Sequence, residues 1–507
     1  MQLLIDILLT LVYLGIVALS VAWFWHFLVL WANQRHLDSI NWVMLEIKLP
    51  REIDKSPLAM ELILPSFLIG SGLDAWYKRY IVGNLPQFSS LEIASLEGEI
   101  HFYVRVRRSM AQWVQSSFYA QYPGIEIAEV DDYVSMIRYH HLSEDVDTWS
   151  GTYRLTKKWT PTDSDGKPFK EDGEVMQMPA DYLPMSTYID LGLDKDPKEQ
   201  YKNDPLVTMI EAMGAIGKGE YLWYQIIVED ETVFNAKYAG EYGKKFPKMY
   251  VMPDHRHINL VEMAEERKKQ LRKYREIKKG SLAYDAYGNP IQKTDKDKNL
   301  QPVTYAEDVV VQAKENELAT EAKDEIELIN RKLSKQLIRC VIRQVYVAKK
   351  ENFNPQNITN ILNYSKIFNR FNSNAPYMNS IGTNSSADPY SYPWENFMNR
   401  RVPWRKEELF EAYVEREGLH PHMHTDKNLD WWEDKLFWHY SMKLRKLWRM
   451  TFEGFVKPFA HPEADDAFIL NTEELATLWH LPGSIAQVPT LSRIDSTKSV
   501  APLNLPQ

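Results

Sequence analysis

The 507 residues are 44% hydrophobic and 25% charged, which is ordinary for a globular protein and, at roughly 150 residues per domain, suggests two or three folded units. A net charge of −9 argues against a surface coated for nucleic acid, while a local basic patch stays compatible with it. The single cysteine, Cys340, excludes an internal disulfide framework and a cysteine-based zinc site, and it suits a reducing cytoplasm.

Residues 7–31, "ILLTLVYLGIVALSVAWFWHFLVLW", contain no Asp, Glu, Lys or Arg. At about 1.5 Å per residue the run exceeds a hydrocarbon core of roughly 30 Å, so a single transmembrane anchor is expected within residues 1–35. Trp23, Trp25 and Trp31 crowd its C-terminal end as an interfacial belt would. The run is too long for a cleaved signal peptide, and no basic residue precedes it. Arg35, Lys48, Arg51 and Lys55 follow it, so the positive-inside rule places the bulk of the chain in the cytoplasm, on a single-pass cell-membrane protein.

From 36 to 148 the pattern reads β-α-β-β-α-β. "WVMLEIKLP" alternates like a strand, and Ser56-Pro57 opens a short helix. "SSLEIASLEG" and "EIHFYVRVR" flank a turn at Glu97-Gly98. "SMAQWVQSSFYAQYP" is an amphipathic helix stopped by Pro123-Gly124, and "IEIAEVDDYV" returns as a strand. This is the split order of a ferredoxin-like domain. The order recurs from 149 to 383: strand "GTYRLTKK", a helix capped by Asp204 with Pro205 at its first position, and strands "EYLWYQIIVE" and "LIRCVIRQVYVAKK", followed by a helix from "NPQNITNILNYSKIF".

Between those last two strands, at about 255–335, the sequence suggests an inserted helical hairpin, or coiled coil, with arms of opposite charge. The basic arm "NLVEMAEERKKQLRKYREIKK" carries Arg267, Lys268, Lys269, Arg272 and Lys273. The acidic arm, "AEDVVVQAKENELATEAKDEIELINRKL", puts Ala322, Ile326, Ile329 and Leu333 on one face. Residues 384–466 form a Trp/His-rich insertion with a helix expected over 430–452. In 467–507, Asn471 or Thr472 caps a short helix with acids in its first turn and an apolar stripe of Leu475, Leu478 and Trp479. Pro482-Gly483 stops it, and a polar, proline-dotted tail with Pro489 and Leu491 follows, suited to a linker or to a strand added to another protein's edge.

No catalytic constellation emerges. Gly166-Lys167, Gly217-Lys218 and Gly243-Lys244 are followed by Pro168, Gly219 and Lys245, so none makes a phosphate-binding loop. Alternate histidines His420, His422 and His424 could share a metal, but Pro421 favours an irregular polar loop. Cys340 lies mid-strand as a buried thiol. No catalytic residue, cofactor or metal is expected.

Several segments together resemble one family. They are "GEIHFYVRV…FYAQYPGIEIAEVDDY", "DPLVTMIEAMGAIGKGEYLWYQIIV", "NRKLSKQLIRCVIRQVYVAKKENFNP" and "FILNTEELATLWHLPG" with the tail "PTLSRIDSTKSVAPLNLP". They look like the non-catalytic, membrane-anchored region preceding the motor in conjugation-type, HerA/FtsK-like ATPases of type IV secretion systems, in archaea and candidate-phyla-radiation bacteria. In that family the tail leads into the motor; here the sequence stops at Gln507 and contains no motor residues.

The resemblance implies an α+β protein: a transmembrane helix, then two ferredoxin-like modules, the second with a long helical-hairpin insertion. The expected function is that of a non-enzymatic accessory scaffold in a type IV secretion-like conjugation or DNA-translocation assembly, docking a separate HerA/FtsK-type ATPase at the membrane. Leu475, Leu478, Trp479, Pro489 and Leu491 are the expected partner-binding residues. The other expected partners are the lipid bilayer, DNA indirectly and further copies of the chain. The alternative is a membrane-anchored nucleic-acid-binding protein using Arg267, Lys268, Lys269, Arg272 and Lys273 on phosphates.

Overall fold

A computed structural model describes residues 2–50, 55–67, 77, 81–82, 87–162, 167–171, 174–194, 204–230, 250–251, 257–282, 292–294, 300–302, 304–312, 318–370, 372–378, 401–416, 467–483 and 493–494. Its centre is one ten-stranded sheet. The sheet strands are β1 (Trp42–Pro50), β2 (Phe88–Leu96), β3 (Glu99–Arg107), β4 (Glu126–Val130) and β5 (Val146–Leu155). They continue as β6 (Glu220–Asp230), β7 (Leu337–Lys349), β8 (Pro376–Met378), β9 (Phe468–Asn471) and β10 (Arg493–Ile494). The order is β8-β5-β7-β6-β2-β3-β1-β10, with β9 also on β7 and β4 also on β1. All pairings are antiparallel except β1 with β10.

The expectation of a transmembrane helix followed by two ferredoxin-like modules is corrected by this sheet. The strands of both stretches merge where β2 pairs with β6, in register from Leu96↔Tyr221 to Phe88↔Glu229. The physical reason is that β2 and β6 each present a long apolar strand whose backbone groups need a partner, and each supplies it to the other. A tight hairpin feeds this seam. Glu97 and Gly98 both take positive φ, 55° and 97°, as a two-residue connection twisted like its strands requires. A Cβ on Gly98 would lie 2.9 Å from the Ile216 carbonyl oxygen, so the hairpin tip admits no side chain there.

Helices pack on both faces of the sheet. Among the described residues they are α1 (Gln2–Ser39), α2 (Leu58–Ile63), α3 (Arg108–Gln121), α4 (Pro205–Gly214), α5 (Leu260–Arg272), α6 (Thr320–Leu333), α7 (Pro355–Leu362), α8 (Arg401–Val414) and α9 (Thr472–Leu478). The first face buries Leu45, Leu91, Val104, Ile226 and Ile342 beneath α2, α3, α4, α7 and α9 in one core that runs across the seam. On the opposite face Trp223, Val345 and Val347 pack against Phe410 and Tyr413 of α8. This double cover is why β6 reads as an apolar run rather than an alternating one.

The anchor, cell-membrane and single-pass expectations for residues 7–31 are also corrected. The segment lies within α1, yet among the described residues no helix is long and apolar enough to cross a membrane. A span needs about 20 consecutive apolar residues. At the C-terminal end of α1, Leu37 packs beside Phe88, Ile227 and Val341.

Among the described residues the inserted hairpin is helical at its base. Beyond α5 and before α6 the chain forms an antiparallel ribbon, Lys273–Leu282 against Thr304–Gln312. The β-branched run Val309-Val310-Val311 and the alternation around Tyr274 and Ile277 favour extended backbone over the helix that charge alone suggested.

The carboxylate of Glu92 is buried at the seam and fastens α8 to it. It accepts hydrogen bonds from Ser90 Oγ (2.5 Å), Tyr133 Oη (2.6 Å) and, across the seam, Gln225 Nε2 (3.1 Å). The Arg416 guanidinium donates to both of its oxygens, at 3.1 and 3.2 Å, and to both oxygens of Asp132, at 2.6 and 2.9 Å. Arg416 follows α8 with φ 54°, a left-handed position that costs a non-glycine residue roughly 1–2 kcal/mol. Burial alone would raise the Glu92 pKa, but the Arg416 charge and the hydrogen bonds hold it below the ordinary carboxylate value.

Lys273 and Gln312 are cross-strand partners, so replacing residues 274–311 by Asn-Gly closes the ribbon at its root. The excised protein should stay soluble with a Tm within a few degrees of the parent by scanning calorimetry. Arg416→Met should cost about 3–5 kcal/mol in urea unfolding by leaving Glu92 buried and unpaired, and adding Glu92→Gln should recover part of that loss. Because the folded pKa is lowered, the Glu92 contribution is present above the ordinary carboxylate value of 4.5 and is lost as pH falls through the folded value. Glu92→Gln should therefore flatten the acid limb of the stability profile.

Candidate functional site

The structure brings three of the expected partner-binding residues together, inside its own core. Leu475, Leu478 and Trp479 are all buried against the first face of the sheet. The Trp479 ring meets Phe102 and Phe118 edge-on, with centroids 5.9 and 6.4 Å apart. The stripe of α9 thus finds its packing partner in its own chain. Pro489 and Leu491 lie outside the described residues, as do His420, His422, His424 and the helix expected over 430–452. Two residues of the tail, Arg493 and Ile494, pair in parallel with Leu49 and Pro50 of β1, so the chain's own sheet edge receives them.

The basic residues of the alternative reading are partly neutralised where they stand. Arg267 on α5 makes a two-pronged ion pair with Glu325 on α6, at 2.7 and 3.0 Å. Lys268 pairs with Glu265 at 3.0 Å and Lys269 with Glu266 at 3.8 Å. Arg272 is half-buried and Lys273 begins the ribbon. Of these pairs, Arg267–Glu325 joins the two arms, while the two lysine pairs lie within α5.

What the sequence reading missed is how α9 is held. Its sequence-visible cap is the first layer: Asn471 Oδ1 accepts from the Glu474 backbone N–H (2.8 Å), and Glu474 reaches back to the Asn471 N–H (2.8 Å). The same carboxylate accepts from the Met185 N–H (2.7 Å) and lies 3.2 Å from the Lys332 Nζ of α6. Both ends of that ion pair are fully shielded from solvent, at 0% exposure each. Lys332 also donates to the Ile469 carbonyl at 2.8 Å. Burial pushes the Glu474 pKa above the ordinary carboxylate value despite these partners.

A second layer surrounds Glu473. Its carboxylate receives Lys335 Nζ (2.8 Å), Arg331 and the Thr187 hydroxyl. Burial would raise its pKa, yet the hydrogen bond from Lys335 and the neighbouring cations hold it below the ordinary value. Lys335 continues to Glu61 of α2 (2.6 Å), and Arg331 to Asp190 (2.8 Å). At the far end His480 Nε2 lies 2.9 Å from Asp204 Oδ2, the carboxylate that caps α4. The helix from which the tail departs is thereby joined to the base of the inserted arm and to two helices of the first face. Chemically this is a junction of satisfied charges. It fixes where α9 and the base of the inserted arm sit on the body. Cys340, the one thiol, is buried beneath the helices.

The junction makes a direct prediction. Lys332→Met alone should destabilise by about 3–5 kcal/mol, because it strands a buried carboxylate, and Lys332→Met with Glu474→Gln should lose less. Trp479→Ala should cost about 3–5 kcal/mol through the cavity it leaves. Urea unfolding followed by tryptophan fluorescence and circular dichroism measures all three.

No protein-family model matches the chain, and neither a curated protein nor a solved structure matches it.

Proposed function

We propose that the chain is a non-catalytic docking component of a type IV secretion-like or DNA-translocating assembly, which receives a separate motor ATPase of the HerA/FtsK kind. One observation supports the reading most. Two of the segments that carry the resemblance interlock through their charges. Arg331, Lys332 and Lys335 of "NRKLSKQ" meet Glu473 and Glu474 of "NTEELATLW". The other two segments supply β3, α3 and β4, and α4 and β6, to the same core. The stretches that resemble the motor-proximal region of the family are thus the ones that build the body.

In this reading the body holds α9 rigidly so that the tail after Gly483 leaves from a defined point. Most of the tail is too polar and proline-broken to pack as core, and an extended strand laid on a partner's edge uses that character. Co-expression with a motor encoded beside the gene tests it. Truncation after Gly483 should leave the body folded by circular dichroism, with its Tm within a few degrees because Arg493 and Ile494 give up their pairing with β1, and abolish co-purification of the motor. Retention of the motor at full strength by the truncated chain would move the docking surface elsewhere and defeat the proposal.

A further inference from the structure

Outside the junction, one cluster of side chains has the composition of a metal centre. His140 and His141 lie in the loop before β5, and Glu407 lies on α8. One ligand atom from each of the three residues falls within 4.8 Å of the others. We propose that His140, His141 and Glu407 form a zinc-class divalent cation site that staples α8 to the second face of the sheet. The proposal is independent of the docking function above.

Three observations carry it. First, the two histidines turn different ring nitrogens toward one carboxylate. His140 Nε2 is 3.6 Å from Glu407 Oε1, and His141 Nδ1 is hydrogen-bonded to Glu407 Oε2. Ligands bound tetrahedrally at 2.0–2.1 Å stand about 3.3 Å apart, so the first pair already has the spacing of neighbours on one ion. The second pair, a direct hydrogen bond in the absence of an ion, opens to the same spacing when an ion enters between them. The imidazole centroids are 4.3 Å apart, close enough for adjacent residues to converge.

Second, Glu407 is a buried carboxylate, with a side chain 5% exposed. Among the described residues its partners are the His141 backbone N–H at 3.2 Å and the two imidazoles, and no lysine or arginine pairs with it. The neighbouring Lys406 is engaged by Asp147 at 2.6 Å. A buried carboxylate on which two imidazoles converge is a donor set that a divalent ion satisfies. Third, the site is held in place from both sides. Tyr139, next to the histidines, packs edge-on against Phe410, one turn along α8 from Glu407, with centroids 6.3 Å apart. His140 is 54% exposed, which gives an ion an entry path and leaves the fourth position to water.

The two-histidine, one-carboxylate set with an open position suits zinc, and cobalt(II) reports the same site through its visible bands. The test uses the full chain, stripped with EDTA and titrated with zinc chloride or cobalt chloride. One equivalent per chain should bind, raise the Tm and give the intense visible absorption of four-coordinate cobalt. His140→Ala, at an exposed position that the fold does not need, should weaken zinc binding by about 100-fold or more and remove the Tm increase. Glu407→Gln should do the same. The triple variant His420→Ala, His422→Ala, His424→Ala controls for the other histidine loop and should keep the equivalent, the Tm increase and the cobalt spectrum. Absence of saturable binding, or binding that vanishes in the triple variant and survives His140→Ala, overturns the proposal.

Discussion

The constraint on which the rest of the structure depends is the buried carboxylate of Glu92 at the β2–β6 seam. A carboxylate cannot remain charged away from water unless its lone pairs and its charge are met by the protein. Meeting them recruits Ser90 from its own strand, Gln225 from the facing strand, Tyr133 from the loop after β4 and Arg416 from the end of α8. Tyr133 is in turn bonded to Tyr413 at 2.7 Å, and Gln225 also donates to the Tyr413 carbonyl. One charge therefore ties the two halves of the sheet to each other and ties both to a helix from a remote part of the chain. Each of these elements also has apolar contacts, but only the carboxylate requires all of them to be present together.

The half-sheets β4-β1-β3-β2 and β8-β5-β7-β6 have the same internal order, and they meet through equivalent edge strands, β2 and β6. Joining them this way buries two edges that would otherwise expose unpaired backbone groups. It also produces one face broad enough for α2, α3, α4, α7 and α9 to lie on a common core. The second face is then available for α8, which is fastened at Lys406, Glu407 and Arg416. The α9 junction applies the same physics on the first face. Lys332 and Glu474 are paired without water, and Glu473 gathers Arg331 and Lys335. Buried pairs of this kind specify one arrangement more than they stabilise it, because a displaced partner leaves an uncompensated charge.

Local features of the fold were legible where a residue acts on its own neighbours. Asp204 before Pro205 reads as a helix start, and its carboxylate does accept from the Leu206 N–H at 2.9 Å. Asn471 or Thr472 reads as a cap, and Asn471 is the one that caps. The turn at Glu97-Gly98 is legible from Gly98, which adopts positive φ freely, between two strand-like runs, although Glu97 takes positive φ as well. "KYREIKK" and "AEDVVVQ" carry charge patterns that suit helices, while their β-branched and aromatic residues suit strands, and cross-strand pairing from Lys273↔Gln312 to Lys279↔Ala306 decides between them. The stripe of Leu475, Leu478 and Trp479 was correctly seen to need a packing surface, but the pattern carries no information about whose surface that is. Adjacent His140-His141 drew no attention, since their carboxylate partner lies 266 positions away from His141.

The sequence by itself determined the local geometry: caps, the hairpin turn, most strands and the helices with an apolar stripe, all set by contacts within a few residues. Only the tertiary structure decided that the two strand sets form one sheet and that the insertion extends as a ribbon. It likewise decided that the last helix belongs to the core and that Glu92, Glu407 and Glu474 become the points where distant segments are joined. The reason is physical. A period-two or period-3.6 pattern states which face of an element is apolar, but edge pairing and charge burial are properties of the assembled molecule. Each of those carboxylates has a definite role only once water has been removed from around it.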